Sequence, residues 1–113
     1  MLLTVFIDER QIAVDTPPGM MVEAEEFFAK MDADMDQGWQ MGRQWIESPN
    51  PRQRCQIAAD KLMSAEEAGN QTMMQLMAAY ILSRMPGVAG VNINTGGEME
   101  ETEFAMHPVG GSL

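Results

Sequence analysis

The chain holds one cysteine, one histidine and seven basic residues among 113, and no long uninterrupted apolar run. Each shortage removes a class of chemistry. A lone thiol, Cys55, cannot close an internal disulfide, and its setting Arg54-Cys55-Gln56-Ile57 at a predicted helix start suits a small buried apolar group. A Ser-His-Asp or Cys-His hydrolase needs an imidazole beside its nucleophile, whereas the single histidine, His107, falls in a tail rich in proline and glycine. Zinc centres draw on several Cys and His ligands, and carboxylate-bridged di-iron bundles on paired Glu-x-x-His motifs, so one of each defeats both. No Gly-x-Gly-x-x-Gly follows a strand and no Gly-Lys-Ser/Thr loop occurs, which sets aside nucleotide binding by those routes. No catalytic residue, cofactor or metal centre is therefore expected.

Positive charge is equally scarce. Seventeen acidic residues against seven basic ones leave a formal charge of −10. Nucleic acids recruit Lys and Arg to displace counterions from phosphate, and anionic membrane surfaces recruit basic segments, so both partners are excluded. No run approaches the ~20 apolar residues of a spanning helix, and the opening MLLTVFIDER lacks a basic leader region and a small-residue cleavage site. The expectation is a cytoplasmic protein. Charge is also unevenly spread: residues 1–36 carry −7, residues 37–85 carry +1 and residues 86–113 carry −4. Arg43, Arg52, Arg54 and Lys61 in the middle segment can meet the acidic first third of the same chain or of a second copy.

What is present is an ordinary apolar content of 45%, at a length that suits one domain over 1–106 and a short mobile tail over 107–113. Thr4–Ile7 and Gln11–Val14 are β-prone runs flanking the polar Asp8-Glu9-Arg10, the layout of a hairpin. Pro17-Pro18-Gly19 stops the second strand. Phe27, Phe28, Met31 and Met35 then repeat at helical steps, and the pattern continues through Gly38, Gly42, Trp45 and Ile46, predicting one amphipathic helix over about 20–47. Asn50-Pro51 caps a second helix to about 68, with Cys55, Ala58, Leu62 and Ala65 as its apolar stripe. Asn70 caps a third, about 71–85, whose Met73, Met74, Met77, Ala78, Ile81 and Leu82 form a broad apolar surface. Val88–Asn94 reads as a C-terminal strand completing a three-stranded sheet. The acidic segment from Glu98 to Phe104 fits neither period. The fold class is α+β, a small sheet packed on a helical layer.

Val5-Phe6-Ile7-Asp8-Glu9-Arg10-Gln11-Ile12-Ala13-Val14, followed by the Pro17-Pro18-Gly19 turn, is similar to the first hairpin of a β-grasp domain, a group that includes the iron–sulfur ferredoxins. The likeness covers about the first 25 residues and brings no cysteine cluster. Neither fold nor cofactor is carried over from it.

Two constellations remain. Asp32, Asp34 and Asp36 have the Asp-x-Asp-x-Asp spacing that opens a calcium loop, but glycine comes one place late and the twelfth position, where a bidentate Glu closes the shell, is Arg43. On a helix Asp32 and Asp36 share a face while Asp34 points roughly 160° from Asp32. That pair repels by a few tenths of a kcal/mol unless water screens it, an arginine such as Arg43, Arg52 or Arg54 bridges it, or a cation helped by Glu25 or Gln40 occupies it. Second, Gly38 and Gly42 form Gly-x-x-x-Gly beside Trp39 and Trp45. In a helix each glycine costs about 1 kcal/mol relative to alanine, which a close helix crossing within the chain or across a dimer axis offsets. The thirteen methionines read as adaptable core filling.

Two functional expectations follow. The preferred one is a non-enzymatic interaction or oligomerisation module, a homodimer joined through Gly38, Trp39, Gly42 and Trp45. The alternative is a ligand- or divalent-cation-binding protein, or an enzyme, built on Asp32 and Asp36 with Arg43.

Overall fold

Alternating burial builds the sheet. In the computed structural model, which describes residues 1–107, strand β1 (Leu2–Ile7) turns Leu3, Val5 and Ile7 inward and leaves Leu2 and Phe6 exposed. It pairs antiparallel with β2 (Arg10–Asp15) as the expected hairpin, the tight loop putting Asp8 at φ 55°, a left-handed conformation that Asp tolerates. The C-terminal strand β5 (Val88–Ile93) lies parallel to β1, and β6 (Glu103–Met106) pairs antiparallel with β5, giving the order β2-β1-β5-β6. The sheet thus has four strands rather than three. Its last strand starts within the segment that fits neither period, because Met99–Glu101 forms a 3-10 turn just before it and an edge strand tolerates charge.

The helical layer is α1 (Met20–Glu23), α2 (Glu25–Asp36), α3 (Pro51–Glu67) and α4 (Gln71–Arg84). Helices α3 and α4 keep the expected positions for the reasons the sequence offers. Asn50 accepts from the Gln53 amide at 2.8 Å while Gln53 Oε1 accepts from the Asn50 amide at 2.9 Å, and Asn70 accepts from Met73 at 3.1 Å. The stripe of Cys55, Ala58, Leu62 and Ala65 is buried, as are Met74, Met77, Ala78, Ile81 and Leu82 facing it. Burial pushes the Cys55 thiol up to about 12, so this sulfur behaves as core and not as a nucleophile.

The long first helix is corrected. The chain breaks at Ala24 between α1 and α2, and α2 ends at Asp36 instead of continuing to 47. Trp39–Met41 (β3) and Gln44–Ile46 (β4) form a second, separate hairpin. The glycines decide this, since Gly38 has φ 106° and Gly42 φ 64°, values no right-handed helix uses. A β-carbon on Gly38 would run into the indole of Trp45, and one on Gly42 would come within 2.7 Å of the Gly97 carbonyl oxygen. Gly-x-x-x-Gly here is turn chemistry, not helix packing. Buried Met41 and the Gly42–Gly97 approach fix this hairpin to the body.

Of the expected mobile tail, His107 is described and its amide donates to the Gly87 carbonyl at 2.7 Å; residues 108–113 lie outside the described residues. Among the described residues no helix is long and apolar enough to cross a membrane.

Gly42→Leu combines a strained left-handed backbone with backbone overlap at Gly97 and should destabilise the fold by about 2–3 kcal/mol. Urea denaturation measures it; an unchanged midpoint would show that the turn accepts a side chain.

Candidate functional site

Helix α2 carries Asp32 and Asp36 on one face, as their four-residue spacing requires, and that face meets both α3 and α4. Asp32 is the meeting point. Its Oδ1 accepts from the Tyr80 hydroxyl at 2.5 Å and from Arg54 Nη1 at 3.4 Å, while Oδ2 accepts from Arg84 Nη2 at 2.9 Å and Nε at 3.2 Å. Arg54 also donates to Asp36 at 2.6 Å, to the Asp32 carbonyl at 3.1 Å and to the Pro49 carbonyl at 2.8 Å. Arg84 reaches on to Glu25 at 3.1 and 3.3 Å. Its guanidinium lies 5.6 Å from the Phe28 ring centre and 5.2 Å from that of Tyr80, and those two rings meet edge to face at 5.6 Å.

An open cavity of about 400 Å³ borders this cluster, lined by Asp32, Pro49, Pro51, Arg54, Tyr80 and Arg84. Its charges are fixed. Burial raises the Asp32 carboxyl, but the hydrogen bonds from Tyr80 and Arg84, and the guanidinium charge, outweigh burial and hold it below the ordinary carboxylate range. Burial and the Asp32 hydrogen bond both push Tyr80 up, so its hydroxyl stays a neutral donor. Burial lowers Arg84, yet Glu25 and Asp32 more than compensate and raise it. Asp32 moves down and Arg54, Tyr80 and Arg84 move up, each away from the neutral range a general acid or base works in. Both Asp32 oxygens are occupied by protein donors, and among the described residues no group of three or more His, Cys, Asp or Glu is arranged to hold a metal ion.

The structure therefore unites two of the three candidate ligand residues. Asp32 and Asp36 are bridged by Arg54, one of the arginines the sequence offers for that role; Arg52 instead covers the Phe104 ring at 5.4 Å. Arg43 is exposed in the β3–β4 turn and makes no ion pair among the described residues. Gln40 donates to the Gly42 carbonyl at 2.9 Å, and Glu25 joins the cluster only through Arg84. Sequence reasoning misses Tyr80 and Arg84. Their signal is present, however: the lone tyrosine stands four residues before an arginine, which puts both side chains on one face of the helix.

The four candidate interface residues gather on the second hairpin. Gly38 is buried beneath Trp45, Gly42 makes the turn, and Trp39 is half-buried with Lys61 Nζ 4.9 Å from its ring centre. Trp45 is 57% exposed. In comparisons with known proteins, the chain matches no family model, no curated protein and no solved structure.

Because Asp32 is depressed when folded, it stabilises the fold above the unfolded carboxylate pKa of about 3.9, and that stabilisation is lost as pH falls through the lower folded value. Asp32→Asn should cost roughly 1–3 kcal/mol at neutral pH and flatten the acid limb of stability against pH. Denaturation midpoints from pH 7 to acid measure this; an acid limb as steep as the wild type's would assign the loss to other carboxylates. Calorimetric titration with magnesium, calcium or manganese should give only heat of dilution, since a cation at Asp32 and Asp36 has to displace Arg54. A saturable heat abolished by Asp32→Asn would reverse that reading.

Proposed function

We propose that this chain is a non-enzymatic interaction module that associates with a second copy through its β3–β4 hairpin. The observation that carries the reading is Trp45, a large aromatic more than half exposed, on a hairpin that the rest of the chain holds in place. Its indole leans on Gly38, so the ring is pre-positioned and surrenders little rotamer freedom on contact. Exposed tryptophans on such supports are the side chains that dominate interface energetics. Arg43 in the adjoining turn adds a positive charge without an acidic partner among the described residues, and the acidic excess of a second copy offers carboxylates to it. An ionised Asp32 held between a neutral Tyr80 hydroxyl and a charged Arg84 supports a structural role for these three side chains over proton transfer.

Sedimentation equilibrium across the micromolar range tests the proposal. The wild-type chain should be dimeric, and Trp45→Ala should weaken association by about 2–4 kcal/mol while melting at a similar temperature. A wild-type chain that stays monomeric throughout, or a Trp45→Ala chain that dimerises equally well, overturns it.

A further inference from the structure

A two-residue loop fixes which backbone groups of a hairpin face outward. In the second hairpin the loop is Gly42-Arg43 between Met41 and Gln44, and that closing pair must be hydrogen-bonded, because the alternative would need bonds between the adjacent residues 42 and 43. Bonded and unbonded pairs alternate, so the next pair, Gln40 and Trp45, turn their N–H and C=O groups away from each other. On β4 the outward residue is Trp45. Strands β3 and β4 form a sheet of their own, and among the described residues no turn or loop backbone bond reaches Trp45. Two strands alone are marginal in water, and an open edge with unmatched N–H and C=O groups is a template for a further strand. Side chains alternate as well. Met41 is buried and Trp39 and Ile46 half-buried, which puts their face on the body, while Arg43, Trp45 and Glu47 are exposed.

The strand that fits this edge is β4 of a second copy. Antiparallel pairing about a two-fold axis at Trp45 sets Trp45 against Trp45 and Gln44 against Ile46, the one symmetric register that engages all three residues of each strand and matches outward groups with outward groups. Continued one step, it brings Arg43, just before the strand, beside Glu47 of the second copy, just after it, and the axis makes that contact twice. Neither residue has an ion-pair partner among the described residues of its own chain. We infer that two copies join β4 to β4, edge to edge, into a four-stranded intermolecular sheet with the Trp45 backbones paired at its centre and an Arg43–Glu47 ion pair at each end. This rests on the self-association proposed for the hairpin and names how the two copies meet. Both indoles then lie on one face as a cross-strand pair, about 5.5 Å apart at Cα. Each β4 edge is used once, so assembly stops at two chains.

Sedimentation equilibrium on charge-reversed full chains tests it. Arg43→Glu or Glu47→Arg alone sets like charges opposite each other at both ends and should weaken association by about tenfold. The double variant should restore association, and so should a mixture of the two single variants, since their heterodimer pairs opposite charges at both ends. In the unaltered chain, the Trp45 amide should exchange with solvent deuterium about tenfold more slowly in the dimer than in dilute monomer, a measurement that stands even if a variant misfolds. A dimer that depends on Trp45 but ignores both reversals, that neither the double variant nor the mixture restores, or that leaves the Trp45 amide unprotected overturns the edge pairing while the Trp45 contact survives. A wild-type chain that stays monomeric overturns both.

Discussion

One carboxylate fastens α2 to the rest of the helical layer. Asp32 receives a phenol and a guanidinium from α4 and a second guanidinium from α3, while Arg54 and Arg84 extend the contact to Asp36 and Glu25 at other turns of α2. Helix α2 otherwise buries only Phe28 and Met35 completely, too little apolar surface to specify its angle against two neighbours. Directional bonds supply that specification. The like-charged pair Asp32 and Asp36, unfavourable on an isolated helix, becomes favourable once Arg54 lies between its members. Among the described residues no buried side-chain polar atom lacks a partner, which is the condition under which a partly buried ionic cluster stabilises.

Around this anchor the chain places two hairpins with different duties. The first is half of the main sheet and shares its inner face with the helices. The second is a small appendage whose turn geometry depends on Gly38 and Gly42, and whose Trp45 indole lies over Gly38 in the room a side chain there would fill, leaving the rest of the ring exposed. The contact between Gly42 and the Gly97 carbonyl ties that appendage to the β5–β6 connection, so the Trp45 side of the molecule and the sheet are mechanically joined through backbone.

Legibility followed the physics of each segment. Helices α3 and α4 were readable because asparagine caps, a proline at the first turn and a consistent apolar stripe all agree. The first hairpin was readable from two β-prone runs flanking the polar Asp8-Glu9-Arg10. Residues 39–46 misled because aromatic and apolar residues at mixed spacing satisfy a helical period as easily as a short hairpin, and the left-handed dihedrals at Gly38 and Gly42 that settle the matter are tertiary outcomes. Strand β6 was hidden by its charge, which an edge position permits. At the site, Asp32 and Asp36 stood out as a like-charged pair needing compensation, with Arg54 only one of three arginines on offer and Arg43 the one singled out. Tyr80 and Arg84 did not, since their partner is 48 and 52 residues away in sequence.

The parallel pairing of β1 with β5 joins residues 86 positions apart at Thr4 and Gly90. A ribosome therefore releases the first hairpin long before the strand that completes it, and two strands alone are marginal in water. Leu3, Val5 and Ile7 therefore lack their full cover until β5 has been made, and closing so long a loop slows the assembly of this sheet relative to one built from local contacts.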